Sequence, residues 1–206
     1  MLGRNGLRWY KRSTPVLATG LVLLGLAGCD TLGLSRSREG NGEMSNQYVE
    51  RGFRGNRLVS RMKPVQLKLQ NGWQEAPTGT LHPSADLEVY NPDQEMFLVV
   101  LGESRAAVGP GNLEEQATAY LQILKRGFTN IIANQSRTGV DRVNNFPAVQ
   151  YEVRGEVSQR PVAYLHTTAE MGEEYYQLAV WTPENMYAAN KDAMQAIVQE
   201  FRDAQP

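Results

Sequence analysis

Short apolar runs separated by Gly, Pro and Asn fill residues 64–183 and limit what this chain of 206 residues can fold into. In one run, Val149, Tyr151 and Val153 alternate with polar residues, as in an antiparallel strand with one wet face. Phe97–Leu101 is apolar throughout and is expected at the centre of a sheet. In total we predict seven strands: Val65–Leu69, Leu87–Tyr90, Glu95–Glu103, Ile131–Arg137, Ala148–Val157, Val162–Thr168 and Tyr175–Trp181.

Two stretches have helical periodicity. Asn112 and Glu115 are spaced as a capping box at the start of the first helix, and Gly127 is expected to end it. For the second helix, Thr182 is the predicted cap and Pro183 the first helical residue. The inward-facing residues of this second helix are predicted to be Met186, Ala193, Met194, Ile197, Val198 and Phe201.

The order of these elements predicts one α+β domain over residues 64–206. An antiparallel β-sheet is covered on its two faces by a helix from the middle and a helix from the end of the domain, an α/β/α sandwich. The chain is too short for two large domains.

Residues 1–28 have the layout of a cleavable signal peptide. Basic residues from Arg4 to Arg12 precede an apolar run, Pro15–Gly28. This run of 14 residues is shorter than the roughly 20 that a helix needs to cross a bilayer. Export of the chain is therefore favoured over a retained membrane-spanning segment.

The end of the apolar run, Leu26-Ala27-Gly28-Cys29, resembles the bacterial lipobox. The resemblance implies that the thiol of Cys29 accepts diacylglycerol, and that the mature chain begins there on the extracytoplasmic face of a membrane. Cys29 is the one cysteine of the chain, so no disulfide can form within it. Two or three acyl chains would hold the protein firmly on the bilayer.

Residues 29–63 lack sustained periodicity and are rich in Gly, Ser, Asn and Arg, which favours a flexible tether. Basic residues outnumber acidic ones in this segment, so the tether either lies on anionic lipid headgroups or is simply solvated. Four of the 21 basic residues and none of the 22 acidic ones lie in residues 1–28, which leaves the rest of the chain at about −5. That balance argues against nucleic acid as a partner.

Four stretches within residues 64–203 resemble the Mog1/PsbP-like fold: Gly72-Trp73, Asp86–Gly102, Phe146–Val153 and Tyr175–Trp181 with the helix after it. The Tyr-Pro that typically precedes the tryptophan in PsbP proteins is missing, since Leu67–Asn71 stand before Gly72-Trp73. The resemblance implies a divergent lipoprotein that is not an enzyme and that binds or stabilises a membrane protein complex. In a photosynthetic host that complex would be related to photosystem II, and the protein would lie in the thylakoid lumen; elsewhere it would lie in the periplasm.

Two other functions stay open, a carrier of small apolar ligands and a small hydrolase. A hydrolase would use His82, Ser84 and Asp86, but residues two apart on a loop rarely align as nucleophile, base and orienter. With two histidines and a cysteine assigned to lipid, no metal or other cofactor is expected, and His166 is expected to pack within a strand. Three aromatic residues are candidates for contact with a partner: Trp73, Tyr90 and Tyr175.

Overall fold

The computed structural model describes residues 56–70 and 72–204. Their strands are β1 (Arg57–Val59), β2 (Val65–Lys68), β3 (Gln74–Glu75), β4 (Leu87–Asn91), β5 (Met96–Ser104), β6 (Asn130–Arg137), β7 (Arg142–Val143), β8 (Phe146–Val157), β9 (Arg160–Met171), β10 (Glu174–Pro183) and β11 (Phe201–Asp203). The helices are α1 (Arg105–Val108), α2 (Leu113–Arg126) and α3 (Tyr187–Val198), and a 3₁₀ turn, Glu184–Met186, precedes α3.

The main sheet is antiparallel, with its strands in the order β3-β4-β5-β10-β9-β8-β6 and with β7 paired to β8. Its centre is the long β8–β9–β10 meander, in which Tyr151 pairs with His166 and His166 pairs with Ala179. On the other side of β10, β5 pairs along its whole length, so that Ala179 lies opposite Val99. All seven predicted strands are present, and β5 is central as predicted.

Each face of the main sheet covers its own hydrophobic core. One core contains Leu178 and Val180 of β10 together with Met194 and Ile197 of α3. The other contains Trp181 and its neighbours on the opposite face, together with residues of α2. The predicted α+β sandwich with a helix on each face is therefore confirmed.

A second sheet of three strands, in the order β1-β2-β11, joins the two ends of the domain. Leu58 of β1 and Phe201 of β11 both lie opposite Leu67 of β2, and all three side chains are fully buried. β1 falls inside the segment predicted to be a tether, so the domain begins by Arg57 and the boundary at residue 64 is wrong. Residues 1–55, with the signal peptide, Leu26, Ala27, Gly28 and Cys29, lie outside the described part of the chain.

The capping prediction is confirmed for α2 and wrong for α3. Asn112 Oδ1 accepts a hydrogen bond from the Glu115 N–H, and the Glu115 carboxylate accepts one from the Asn112 N–H. Gly127 caps the other end of the helix. β10 continues through Pro183, and the buried Thr182 hydroxyl accepts a hydrogen bond from Asn190 instead of capping the helix. Phe201, predicted to lie on the last helix, belongs to β11.

Candidate partner-binding surface

The aromatic residues predicted to contact a partner are mostly inside the domain. Trp73 and Tyr175 are buried, and the Tyr175 hydroxyl donates to the Gly111 carbonyl at 3.2 Å. Tyr90 is half-buried on β4, where its hydroxyl donates to Gln74 Oε1 on the neighbouring strand at 3.3 Å. The structure therefore corrects the prediction for Trp73 and Tyr175, since buried rings offer a partner no surface.

Four aromatic rings form a row on the α2 face of the sheet. Trp181 stacks on Phe97 on one side and on Tyr164 on the other, each at 5.5 Å between centroids. Phe128 meets Tyr164 edge-on at 5.4 Å. Such contacts add to the stability gained from area burial alone, so this row belongs to the core.

The large apolar side chains that are exposed in the described residues are Met62, Ile131 and Ile132, at 82%, 39% and 50% exposure. Met62 lies in the turn between β1 and β2. Ile131 and Ile132 are adjacent on β6, and both side chains reach solvent. Sequence reasoning placed both isoleucines in a strand but missed their exposure, because an apolar pair in a strand usually indicates burial.

β6 is the last strand of the main sheet on one side, so its outer backbone groups face away from the other described strands. The described residues around the isoleucines, Asn130, Gln135, Ser136 and Arg137, are exposed as well. Two register shifts, between Ile131 and Ala133 and between Ala133 and Ser136, interrupt its pairing with β8. Irregularities of this kind often protect a sheet edge from indiscriminate pairing. A partner strand could still add to either half of the edge and cover the isoleucines.

His82, Ser84 and Asp86 do not form a catalytic triad. His82 Nδ1 accepts the backbone N–H of Ser84 at 3.1 Å, so this nitrogen cannot donate to a carboxylate as a triad requires. Asp86 Oδ2 instead accepts the Gly102 N–H at 2.6 Å. Burial raises the pKa of Asp86, although the Gly102 N–H and Lys63 act in the opposite direction. The three residues are thus committed to local structure.

Among the described residues, no group of three His, Cys, Asp or Glu side chains is placed to hold a metal ion. His166 is buried in β9, as expected. Because burial disfavours the imidazolium form, it lowers the pKa of His166 to about 4.

Glu152 is the centre of a charged cluster that joins β8 to α3. Burial alone would raise the pKa of Glu152, but hydrogen bonds from Tyr187, Lys191 and Arg154 outweigh it and lower the pKa to about 2. The Tyr187 hydroxyl donates at 2.6 Å, and the Arg154 guanidinium lies over the Tyr187 ring at 4.7 Å. Arg154 is also paired with Glu184 at 3.0 Å. Within this cluster the charged groups pair with one another, which indicates a structural role.

The domain has the fold of PsbP proteins. No family model matches the sequence, and no curated protein sequence matches it. The solution structure of cyanobacterial PsbP (CyanoP) from Synechocystis sp. PCC 6803 superposes with a TM-score of 0.50 at 13% identity, over 71% of this chain and 91% of that one. Two weaker similarities are to the Ran-binding protein Mog1p of Saccharomyces cerevisiae (TM-score 0.48, 11% identity, 72% of this chain and 95% of that one) and to LpqN of Mycobacterium tuberculosis (TM-score 0.41, 12% identity, 73% and 85%). The likeness to CyanoP establishes the Mog1/PsbP-like fold predicted from the sequence.

No helix in the described part of the chain combines the length and apolar character needed to cross a membrane.

Proposed function

We propose that this protein is a lipoprotein held on the extracytoplasmic face of a membrane through Cys29, and that its domain binds and stabilises a membrane protein complex without catalysing a reaction. The sequence Leu26-Ala27-Gly28-Cys29 after a short apolar run supports the lipid anchor. The fold shared with cyanobacterial PsbP supports an extracytoplasmic binding or assembly role, related to photosystem II if the host is photosynthetic.

The exposed edge of β6 is the structural feature that supports the binding role. Ile131 and Ile132 lie side by side on a terminal strand that the described part of the chain leaves uncovered on its outer side. Apolar side chains beside unpaired backbone groups suit a protein partner, because strand addition supplies hydrogen bonds while the side chains give specificity. We assign the partner contact to this edge, in place of the buried Trp73 and Tyr175.

The test is an affinity purification of the tagged full chain from membranes of its host dissolved in mild detergent, followed by identification of the co-purifying subunits. The double variant Ile131→Ser/Ile132→Ser is compared with Met62→Ser, which removes an exposed apolar side chain from a different part of the domain. We expect a defined set of membrane subunits with wild type and Met62→Ser, and at least a tenfold lower yield of them with the double variant.

The anchor is tested separately with Cys29→Ala. This variant should leave the membrane fraction for the soluble one while the domain stays folded. Equal recovery of partners from wild type and from the β6 variant would overturn the assignment of the contact. Wild type that purifies alone would overturn the assembly role itself.

A further inference from the structure

The first two strands of the domain carry a positive charge that the rest of the domain lacks. Residues 56–70 contain four basic residues, Arg57, Arg61, Lys63 and Lys68, and no acidic one. Residues 72–204 contain 9 basic and 18 acidic residues, which gives them a formal charge of −9. A molecule with one positive region on a negative body is oriented by its own field towards an anionic partner.

Strand pairing places three basic residues on one face of the small sheet. Arg57 on β1 lies opposite Lys68 on β2, and Arg202 on β11 lies opposite Gln66, two residues before Lys68. Side chains two residues apart on a strand point to the same side, so the three basic residues share a face. Leu67, between Gln66 and Lys68, points the other way and is fully buried in the core. The basic face is therefore the outer face of the small sheet.

The turn between β1 and β2 adds an exposed apolar side chain at the end of this face. Met62 is 82% exposed, and Arg61 before it is exposed as well. The Ser60 hydroxyl oxygen accepts hydrogen bonds from the backbone N–H groups of Met62 and Lys63 at 3.1 and 3.2 Å, which fixes the shape of the turn. The two strands have three and four residues and span only about 10–13 Å, so the turn and the basic face can meet the same flat surface.

The basic groups of this face are available to a partner. Neither the two arginines of the β1–β2 hairpin nor Lys68 takes part in any ion pair within the described residues. The carboxylates of Glu174 and Glu200 are already paired, with Lys63 at 2.8 Å and with Arg202 at 3.3 Å. Exposed cations beside an exposed thioether suit an anionic bilayer, because the headgroups attract the charges while the boundary with the acyl chains accepts the apolar side chain.

We propose that the β1–β2 hairpin, with Arg202 beside it, docks on the anionic headgroups of the membrane that holds the lipid anchor, with Met62 at the boundary with the acyl chains. The inference rests on the proposed function only in placing the chain at a membrane. A few basic groups bind anionic lipid weakly, so the hairpin orients an anchored protein and does not recruit it. The same headgroups repel the negative remainder of the domain, which favours a single orientation.

The test measures how fast peroxide converts Met62 to its sulfoxide in the full chain, reconstituted into vesicles and followed by mass spectrometry. One set of vesicles is phosphatidylcholine alone, and the other contains phosphatidylcholine and phosphatidylglycerol in a two-to-one ratio. We expect Met62 to react at least fivefold more slowly on the anionic vesicles, and the difference to vanish in about 1 M NaCl, where the screening length falls to about 3 Å. Half-buried Met186, at the opposite end of β10 from Glu174, is the internal reference and should react equally on both.

The double variant Arg57→Gln/Arg61→Gln should lose most of the protection of Met62. Its matched control is Arg126→Gln/Arg142→Gln, which removes two exposed arginines from other parts of the domain and should keep the protection. The salt dependence of the unchanged protein covers the case in which the hairpin variant does not fold. Equal Met62 rates for wild type on the two kinds of vesicle, or full protection in a folded hairpin variant, would overturn the docking.

Flotation of the vesicles separates the failure of this proposal from the failure of the anchor. Wild type that floats with both kinds of vesicle is anchored, so an unprotected Met62 then refutes the docking alone. Wild type that does not float with phosphatidylcholine vesicles refutes the anchor. In that case the same oxidation rates, measured with a large excess of anionic vesicles at low salt, decide whether the hairpin docks.

Discussion

At the scale of single residues, the domain contains a base that is buried in neutral form. Burial holds the pKa of His166 at about 4, against an ordinary value of 6.5. In the unfolded chain the imidazole takes up its proton near pH 6.5, so between pH 6.5 and 4 the unfolded state binds more protons than the folded state. Protonation of this residue therefore takes almost nothing from the stability well above pH 6.5 and destabilises the domain progressively as the pH falls to 4.

We expect that contribution to reach about 2–3 kcal/mol at pH 4.5, from 1.36 kcal/mol per pKa unit. Urea unfolding of wild type and His166→Gln at pH 7.5 and pH 4.5 measures it. The variant should lose less stability between the two pH values, even if it is less stable at pH 7.5. An identical loss in both proteins would show that His166 is not the group responsible.

At the scale of elements, the contact between β8 and the segment after α2 depends on a glycine. An added Cβ at Gly155 would lie 2.2 Å from Phe128 Cδ1 and 2.5 Å from the Asn130 carbonyl oxygen. The backbone oxygen cannot move without disturbing the β6–β8 pairing, in which Ile131 lies opposite Gly155. A side chain at position 155 would therefore collide with Phe128 and with the start of the edge strand.

Gly155→Ala should therefore destabilise the domain by about 1–3 kcal/mol, the usual cost of overpacking. Gly139→Ala is the matched control, because a Cβ there meets nothing within 4 Å. Chemical denaturation of the two variants gives the comparison. If Gly155→Ala is no less stable than Gly139→Ala, the close approach of β6 to β8 is not as described.

Sequence patterns predicted the elements whose local chemistry decides their structure. The capping box of Asn112 and Glu115 and the strand around Val149 depend on near neighbours, so both could be recognised. The wet face predicted for that strand is wrong, because Gln150 is fully buried. β1 could not, because its three residues gain their stability from pairing with β2 and from the burial of Leu58. Threonine is a common helix cap, but in the folded domain the Thr182 hydroxyl accepts a hydrogen bond from Asn190 instead.

The candidate contact surface was harder to predict for a related reason. Both faces of the main sheet are covered, so alternation along β10 does not tell which aromatic rings reach solvent. Tyr175 is buried on one face and Tyr176 on the other. Exposure of Ile131 and Ile132 follows from the place of β6 at the end of the strand order, which only the tertiary structure reveals.

At the scale of the whole molecule, the small sheet is joined to the main sheet through Phe201. Its ring is fully buried and lies 5.2 Å from the ring of Tyr176 on β10. The same core contains Leu58, Leu67 and the inner residues of α3. The two sheets therefore share one core and should unfold together.

Phe201→Ala should cost about 3–5 kcal/mol, as is usual when a buried phenylalanine is truncated. Arg202→Ala, next to it on β11 but exposed, should cost less than about 1 kcal/mol. Calorimetry of each variant should give a single transition at a lower temperature for Phe201→Ala. Two separate transitions in wild type would mean that the sheets are independent units.

The pairing of β1 with β2 also determines how the domain would respond to mechanical load. If the chain is anchored at Cys29 as proposed, a pull between the bilayer and a bound complex reaches β1 before the other described strands. β1 is held to β2 by only three residue pairs, whereas the meander strands pair over ten each. Under tension β1 would detach from β2 first, while the β2–β11 pairing and the main sheet stay intact. Detachment of this short strand would thus absorb the load before the rest of the domain unfolds.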